Sequence, residues 1–159
     1  MNERAKILID QLEMNPHPEG GYYKEVYRSK VNVTETTRER SALTSIYFLL
    51  QKDEVSRWHK VKSDEVWIYL EGAPIELAMM NEESKVSKLT HLSAEETPPN
   101  YQGTVPAHIW QAARSLGEYT LVTCLVAPGF DFADFKMMEK NSPIAKDWAK
   151  LNRDLTIYI

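Results

Sequence analysis

Apolar and polar positions along the chain follow two different periods. Over residues 4–14, Ile7, Leu8, Leu12 and Met14 fall on one side of a helical wheel, which predicts a short amphipathic N-terminal helix. Asn15-Pro16-His17-Pro18-Glu19-Gly20-Gly21 ends it, since two prolines and two glycines break a helix. From Tyr22 onward the chain becomes a series of short β-branched and aromatic runs. They cover residues 22–29, 41–50, 55–61, 65–70, 75–80, 86–92, 104–112 and 119–127, with turn residues between them. The polar segment 30–40 and the Pro98-Pro99-Asn100 region are predicted loops. Near the C-terminus, Ser142-Pro143 suits a helix start, and Ile144, Trp148 and Leu151 recur at helical spacing, predicting a helix over about 143–152. Short strands with no helices between them argue an antiparallel all-β sandwich or barrel over a parallel α/β sheet.

Composition narrows the class. The 159 residues suit one domain over 1–159, with the barrel at about 20–137. Net charge is −4, with no basic patch, which argues against nucleic acid as a partner. No apolar run approaches a membrane span, and no secretion signal opens the chain, so the expected location is cytoplasmic. The single Cys124 agrees, as it has no partner for an internal disulfide, and its apolar neighbours predict an inert buried thiol. The sequon Asn32-Val33-Thr34 carries no weight without such a signal.

Candidate chemistry begins with strand alternation. In Glu65-Val66-Trp67-Ile68-Tyr69-Leu70, one face carries Glu65, Trp67 and Tyr69 and the other only aliphatic residues. The aliphatic face is expected to pack into a core. The mixed face suits a ligand cavity, or else a solvent-facing or dimer-facing surface. His59 shares a face with Arg57 on the preceding run. If the two runs pair as a hairpin, His59 and Glu65 approach one another as an acid/base pair, the alternative being an ordinary hydrogen-bonded histidine. Glu19 and Tyr22 flank the Gly-Gly turn, at a cavity mouth or in a plain turn. Trp67 and Trp110 are stacking surfaces or core aromatics. Arg28 and Arg57 are anion-binding or surface residues.

Residues 56–72, Ser-Arg-Trp-His-Lys-Val-Lys-Ser-Asp-Glu-Val-Trp-Ile-Tyr-Leu-Glu-Gly, resemble the first cupin motif. His59, Glu65 and Gly72 hold its spacing, and Val61 stands where a second histidine belongs. Thr104-Val105-Pro106-Ala107-His108-Ile109-Trp110-Gln111 resembles the second motif, with His108 at its glycine and Gln111 at its histidine. Together with His17-Pro18-Glu19-Gly20-Gly21-Tyr22, residues 43–50 and residues 127–135, the chain is similar to a branch of RmlC-like cupins carried as a domain of unknown function. The resemblance implies a double-stranded β-helix, or jelly roll, with a central ligand cavity and a homodimer.

It also frames the activity. The metal set of a full cupin motif is degraded here to His59, Glu65 and Gln111, a weak site for a divalent transition metal, so no metal is assigned. His108, in a predicted turn, is expected at the surface. RmlC-type nucleotide-sugar epimerases work without metal, using a histidine base oriented by a carboxylate and a tyrosine acid. By that analogy His59 is the base, Glu65 its orienting carboxylate, and Tyr69 or Tyr22 the acid. Glu19, Tyr22, Arg57, Trp67, Trp110 and Gln111 are the expected substrate-binding residues of a sugar-like ligand. The function expected is a small-molecule pocket, as a metal-independent sugar or nucleotide-sugar isomerase or epimerase. Its alternatives are a non-catalytic metabolite binder and a metal-dependent oxygenase or isomerase.

Overall fold

The computed structural model describes residues 2–35, 38–151 and 153–159. Helix α1 (Glu3–Gln11) opens it, its first amides taken by the side chain of Asn2 at the N-cap. Among the described residues thirteen strands follow: β1 (Asn15–Pro16), β2 (Tyr22–Arg28), β3 (Asn32–Glu35), β4 (Arg38–Ser41), β5 (Thr44–Gln51), β6 (Val55–Lys60), β7 (Asp64–Gly72), β8 (Ile75–Met80), β9 (Ser87–Leu92), β10 (Gln102–Val105), β11 (Trp110–Ser115), β12 (Tyr119–Ala127) and β13 (Lys136–Met137). Helix α2 (Pro143–Leu151) and a 3-10 segment, Arg153–Tyr158, complete the chain.

A six-stranded sheet, β1-β2-β5-β12-β7-β10, faces a five-stranded one, β13-β6-β11-β8-β9, and the hairpin β3-β4 stands apart. The pairings are antiparallel. This is the jelly-roll double-stranded β-helix with short terminal helices. Phe48, Leu50, Trp67, Leu77 and Val122 fill part of the space between the sheets. Every residue of β8 is buried, because its outer face is also covered. There Ala78 and Met80 join Trp58, Trp110, Trp148 and Tyr158 beneath α2 and the C-terminal segment. Helix α2 therefore packs outside the barrel, on the five-stranded sheet. Helix α1 covers the other sheet through Ala5 and Leu8 against Leu49 and Leu121. No helix among the described residues is long and apolar enough to cross a membrane.

Three local expectations are corrected. The predicted loop 30–40 contains the hairpin β3–β4, which is tied to the loop after β12 by Arg38 and Arg40, contacts remote in sequence and invisible to local patterning. The predicted strand 104–112 divides in two. Pro106 cannot donate to a ladder, and His108 turns with φ 66°, so β10 ends in one sheet and β11 begins in the other. On β7 the mixed face turns into the interior, as the cavity reading expects, and it is the aliphatic face that is not core. Glu65 and Trp67 point inward, whereas Val66 and Ile68 are half-buried and Leu70 is exposed. Aliphatic residues favour a strand on either face, and the inward carboxylate has buried hydrogen-bond partners that satisfy it.

Candidate functional site

A cavity of about 330 Å³ opens between the sheets. His59 enters it from β6, Glu65 and Trp67 from β7. The turn before β2 supplies His17 and Glu19. That turn depends on glycine: Gly20 has φ 113° and Gly21 φ 71°. A Cβ on Gly20 would lie 2.1 Å from the Val55 carbonyl oxygen. The Arg57 N–H donates to the Glu19 carbonyl at 2.9 Å, so the turn is locked onto β6 beside His59. Gly20→Ala is expected to cost about 2 kcal/mol in a denaturant titration, from strain at positive φ and displacement of β6.

Hydrogen-bond roles follow from the fixed backbone partners. His59 Nδ1 lies 2.8 Å from the Arg57 carbonyl oxygen, which only accepts, so Nδ1 carries a proton. His59 Nε2 faces Glu19 Oε2 at 3.3 Å. His17 Nδ1 accepts the Glu19 backbone N–H at 3.3 Å and lies 3.4 Å from the same Oε2. Ser56 Oγ donates to the other oxygen, Oε1, at 2.9 Å. Both imidazoles therefore crowd one carboxyl oxygen, but the His17 Nδ1 lone pair is taken by the Glu19 backbone N–H, so the His59 Nε2 lone pair is the acceptor that a protonated Glu19 would meet. Burial acts in the same direction. It raises the Glu19 carboxyl to about 7 and lowers both histidines below their ordinary value. Both directions favour a protonated Glu19 beside a neutral His59 over a buried ion pair.

Glu65 is held from the other side. The Trp67 indole N–H donates to Gln111 Oε1 at 2.9 Å, and Gln111 Nε2 donates to Glu65 Oε2 at 2.5 Å. Burial raises Glu65 above the usual carboxylate range, and nearby His59 opposes that rise. The Cys124 thiol also hydrogen-bonds Glu65, and burial pushes it well up. Phe132 stacks on His17, 6.1 Å between centroids, and Phe135 lies over His59 at 5.4 Å. These rings belong to a loop anchored by Asp131 and Asp134. Arg40 Nη2 pairs with Asp134 Oδ2, Arg38 reaches both aspartates, and Lys62 lies 3.2 Å from Asp134.

The predicted residues separate into three groups. His59, Glu65, Glu19 and Trp67 line the cavity, and Gln111 lies fully buried behind Glu65. His59 and Glu65 belong to strands of opposite sheets, not to a hairpin, and face one another across the interior. The carboxylate at hydrogen-bonding distance from His59 is Glu19. Tyr69, Tyr22, Arg57 and Trp110 lie elsewhere. The Tyr69 hydroxyl donates to the Gly72 carbonyl at 2.6 Å, fixed by the turn after β7. Tyr22 packs towards α1, and one position later Tyr23 points into the cavity, edge-on to His17. Arg57 braces the turn through the Pro18 carbonyl. Trp110 faces α2, edge-on to Trp148. His108 is exposed, as expected. His17, Tyr23, Cys124 and the Phe130–Phe135 loop complete the site without having been singled out as site residues. Their sequence signals were the short His17-to-Gly21 turn and the run of phenylalanines after Pro128, and neither has a periodicity that reveals where it points.

The ligand set His59, Glu65 and Gln111 does not fit a metal. Indole N–H only donates, so the Gln111 oxygen is committed to Trp67, and the amide presents N–H groups to Glu65. Val61 offers an apolar wall in place of a second histidine. Among the described residues no group of three His, Cys, Asp or Glu side chains is arranged to hold a metal ion.

Comparison with known proteins agrees with this fold. A hypothetical protein from Leishmania major is 31% identical, with 97% of this chain and 96% of that one covered and a TM-score of 0.82. A protein from Shewanella oneidensis is 27% identical, with 99% and 98% covered and a TM-score of 0.87. KdgF from Halomonas sp. shares the fold at 17% identity, with 78% and 94% covered and a TM-score of 0.56. No curated protein matches the chain. The family model described as Cupin superfamily (DUF985) matches residues 6–138, which span both sheets and the whole cavity, and the chain belongs to that family.

Proposed function

We propose that the protein is a metal-independent isomerase or epimerase of a sugar-like small molecule, acting by proton transfer at His59 and Glu19. The observation that carries this reading is the 3.3 Å approach of His59 Nε2 to Glu19 Oε2, inside a cavity roofed by aromatic rings. The Arg57 carbonyl holds the His59 proton on Nδ1, so Nε2 is the basic nitrogen; it faces Glu19 at the cavity wall and is released when Glu19 gives its proton to the substrate. It takes a proton from carbon next to a carbonyl, and the imidazolium so formed is balanced by Glu65. Glu19, titrating near neutrality, returns a proton to the neighbouring carbon or oxygen. The acid role moves from Tyr69 to Glu19, since the Tyr69 hydroxyl is tied to Gly72.

The test is solvent deuterium incorporation into candidate sugars, followed by NMR. His59→Gln is expected to slow exchange by about a hundredfold or more while circular dichroism stays unchanged. Exchange that persists at the parent rate would remove His59 from the reaction. A second reading, metabolite binding without turnover, draws on the placement of Tyr69, which leaves no tyrosine acid of the RmlC type where that analogy requires it. It predicts saturable binding with no exchange in any bound compound. We also place the protein in the cytoplasm, as a single-domain homodimer paired through sheet edges. The sparse use of cysteine, a single Cys124, supports a reducing compartment, and pairing would shield exposed edges.

A further inference from the structure

The cavity has aromatic walls but no free positive charge. Among the described residues that line it, Arg28 is the one permanent cation. Its Nε and Nη2 hold the Glu25 carboxylate at 2.9 and 2.7 Å, and its Nη1 donates to the Phe130 carbonyl at 3.2 Å. Several backbone N–H groups of the loop are also occupied. Phe130 N–H donates to Thr44 Oγ1 at 2.9 Å, and Ala133 N–H donates to Asp131 Oδ1 at 2.8 Å. His17 and His59 both lie against Glu19 Oε2, at 3.4 and 3.3 Å, so a proton on either ring is already faced by that carboxyl, while Glu65 can add only negative charge. An incoming phosphate would find no charge-assisted donor, and burying an unpaired anion is costly.

Size points the same way. A cavity of about 330 Å³ is at the small end of the ~300–1,000 Å³ range of ligand sites. Trp67, Phe48 and Tyr23 offer apolar surface to a ring, and the histidines and Glu65 offer a few polar contacts to hydroxyl groups. We infer that the ligand is an uncharged, hydroxylated compound about as large as a single sugar ring, and that sugar phosphates and nucleotide-sugars are excluded. This rests on the acid/base reading of the same cavity and narrows its substrate class to the unphosphorylated member.

Isothermal titration calorimetry with free aldoses, ketoses and polyols, each beside its phosphate ester or uridine-diphosphate conjugate, tests this. At least one free compound is expected to bind, with its phosphorylated counterpart about tenfold weaker or worse. Ile46→Trp, which fills the cavity from its wall, is expected to remove that binding while circular dichroism remains unchanged. Glu25→Gln frees Arg28 and is expected to narrow the discrimination by about tenfold. A phosphorylated compound binding as tightly as its free counterpart overturns the inference, and so does a panel in which no free compound binds. A free sugar that binds without exchanging deuterium leaves the inference standing and defeats the isomerase reading alone.

Discussion

Asp134→Ala is expected to lower the unfolding free energy by about 3 kcal/mol in urea titrations at pH 7. The Arg40 side chain is only 4% exposed, and Asp134 is 6% exposed. Arg40 Nη2 rests on Asp134 Oδ2, while its Nη1 lies 3.3 Å from the half-exposed Asp131. Its Nε and Nη1 already lack hydrogen-bond partners. Alanine at 134 leaves a buried guanidinium with one weaker partner, and breaking a buried ion pair from one side costs about 3–5 kcal/mol. Arg38 and Lys62 add little, because exposed pairs contribute about 0–1 kcal/mol each. The double variant Arg40→Met with Asp134→Leu removes both charges and is expected to recover most of the loss. If the double variant were no more stable than the single one, the buried charge would not be the cause. The same loop carries Phe132 and Phe135 over the histidines, so Asp134→Ala is also expected to speed alkylation of Cys124, which lies 1% exposed in the cavity.

Glu19→Gln is expected to match the parent chain near pH 4 and to exceed its stability near pH 8. The Glu19 carboxyl is raised from 4.5 to about 7, mainly by burial. Between those values the folded protein holds a proton that the unfolded chain has released. Its contribution is fully present below pH 4.5 and is lost as pH rises through 7. The shift corresponds to ~3 kcal/mol at most. Glutamine keeps the neutral shape and cannot ionise, so the variant escapes that loss. The two histidines oppose the trend below their ordinary value, since burial lowers them, and they are present in both proteins. Parallel thermal melts from pH 4 to 8 decide the matter. Curves that stay parallel across the range would place Glu19 as an ordinary ionised carboxylate.

Much of this protein was legible before any coordinates. The limits of β8 and β12 follow from runs of strand-forming residues bounded by turns, and the helix at 143–151 follows from Ser142-Pro143 and the spacing of Ile144 and Trp148. The all-β architecture came from those strands and the resemblance to cupins together. His59, Glu65, Glu19 and Trp67 were recognisable because a strand alternates and a Gly-Gly turn marks a close approach. Alternation names two faces without saying which is inside. Tyr22 was expected at the mouth, and Tyr23, one position later, lines it. Trp110 looked like a stacking surface and instead packs beneath α2, a partner dozens of residues away.

Local sequence thus determined the strands, the turns and the residue types capable of acid/base chemistry, because dihedral preference and side-chain periodicity act over a few residues. The tertiary structure decided which carboxylate meets His59, which amide atom Gln111 presents, and that Arg28 is already bound. Each of those outcomes depends on hydrogen bonds and burial between segments far apart in the chain, and these arise only when the two sheets close over one another.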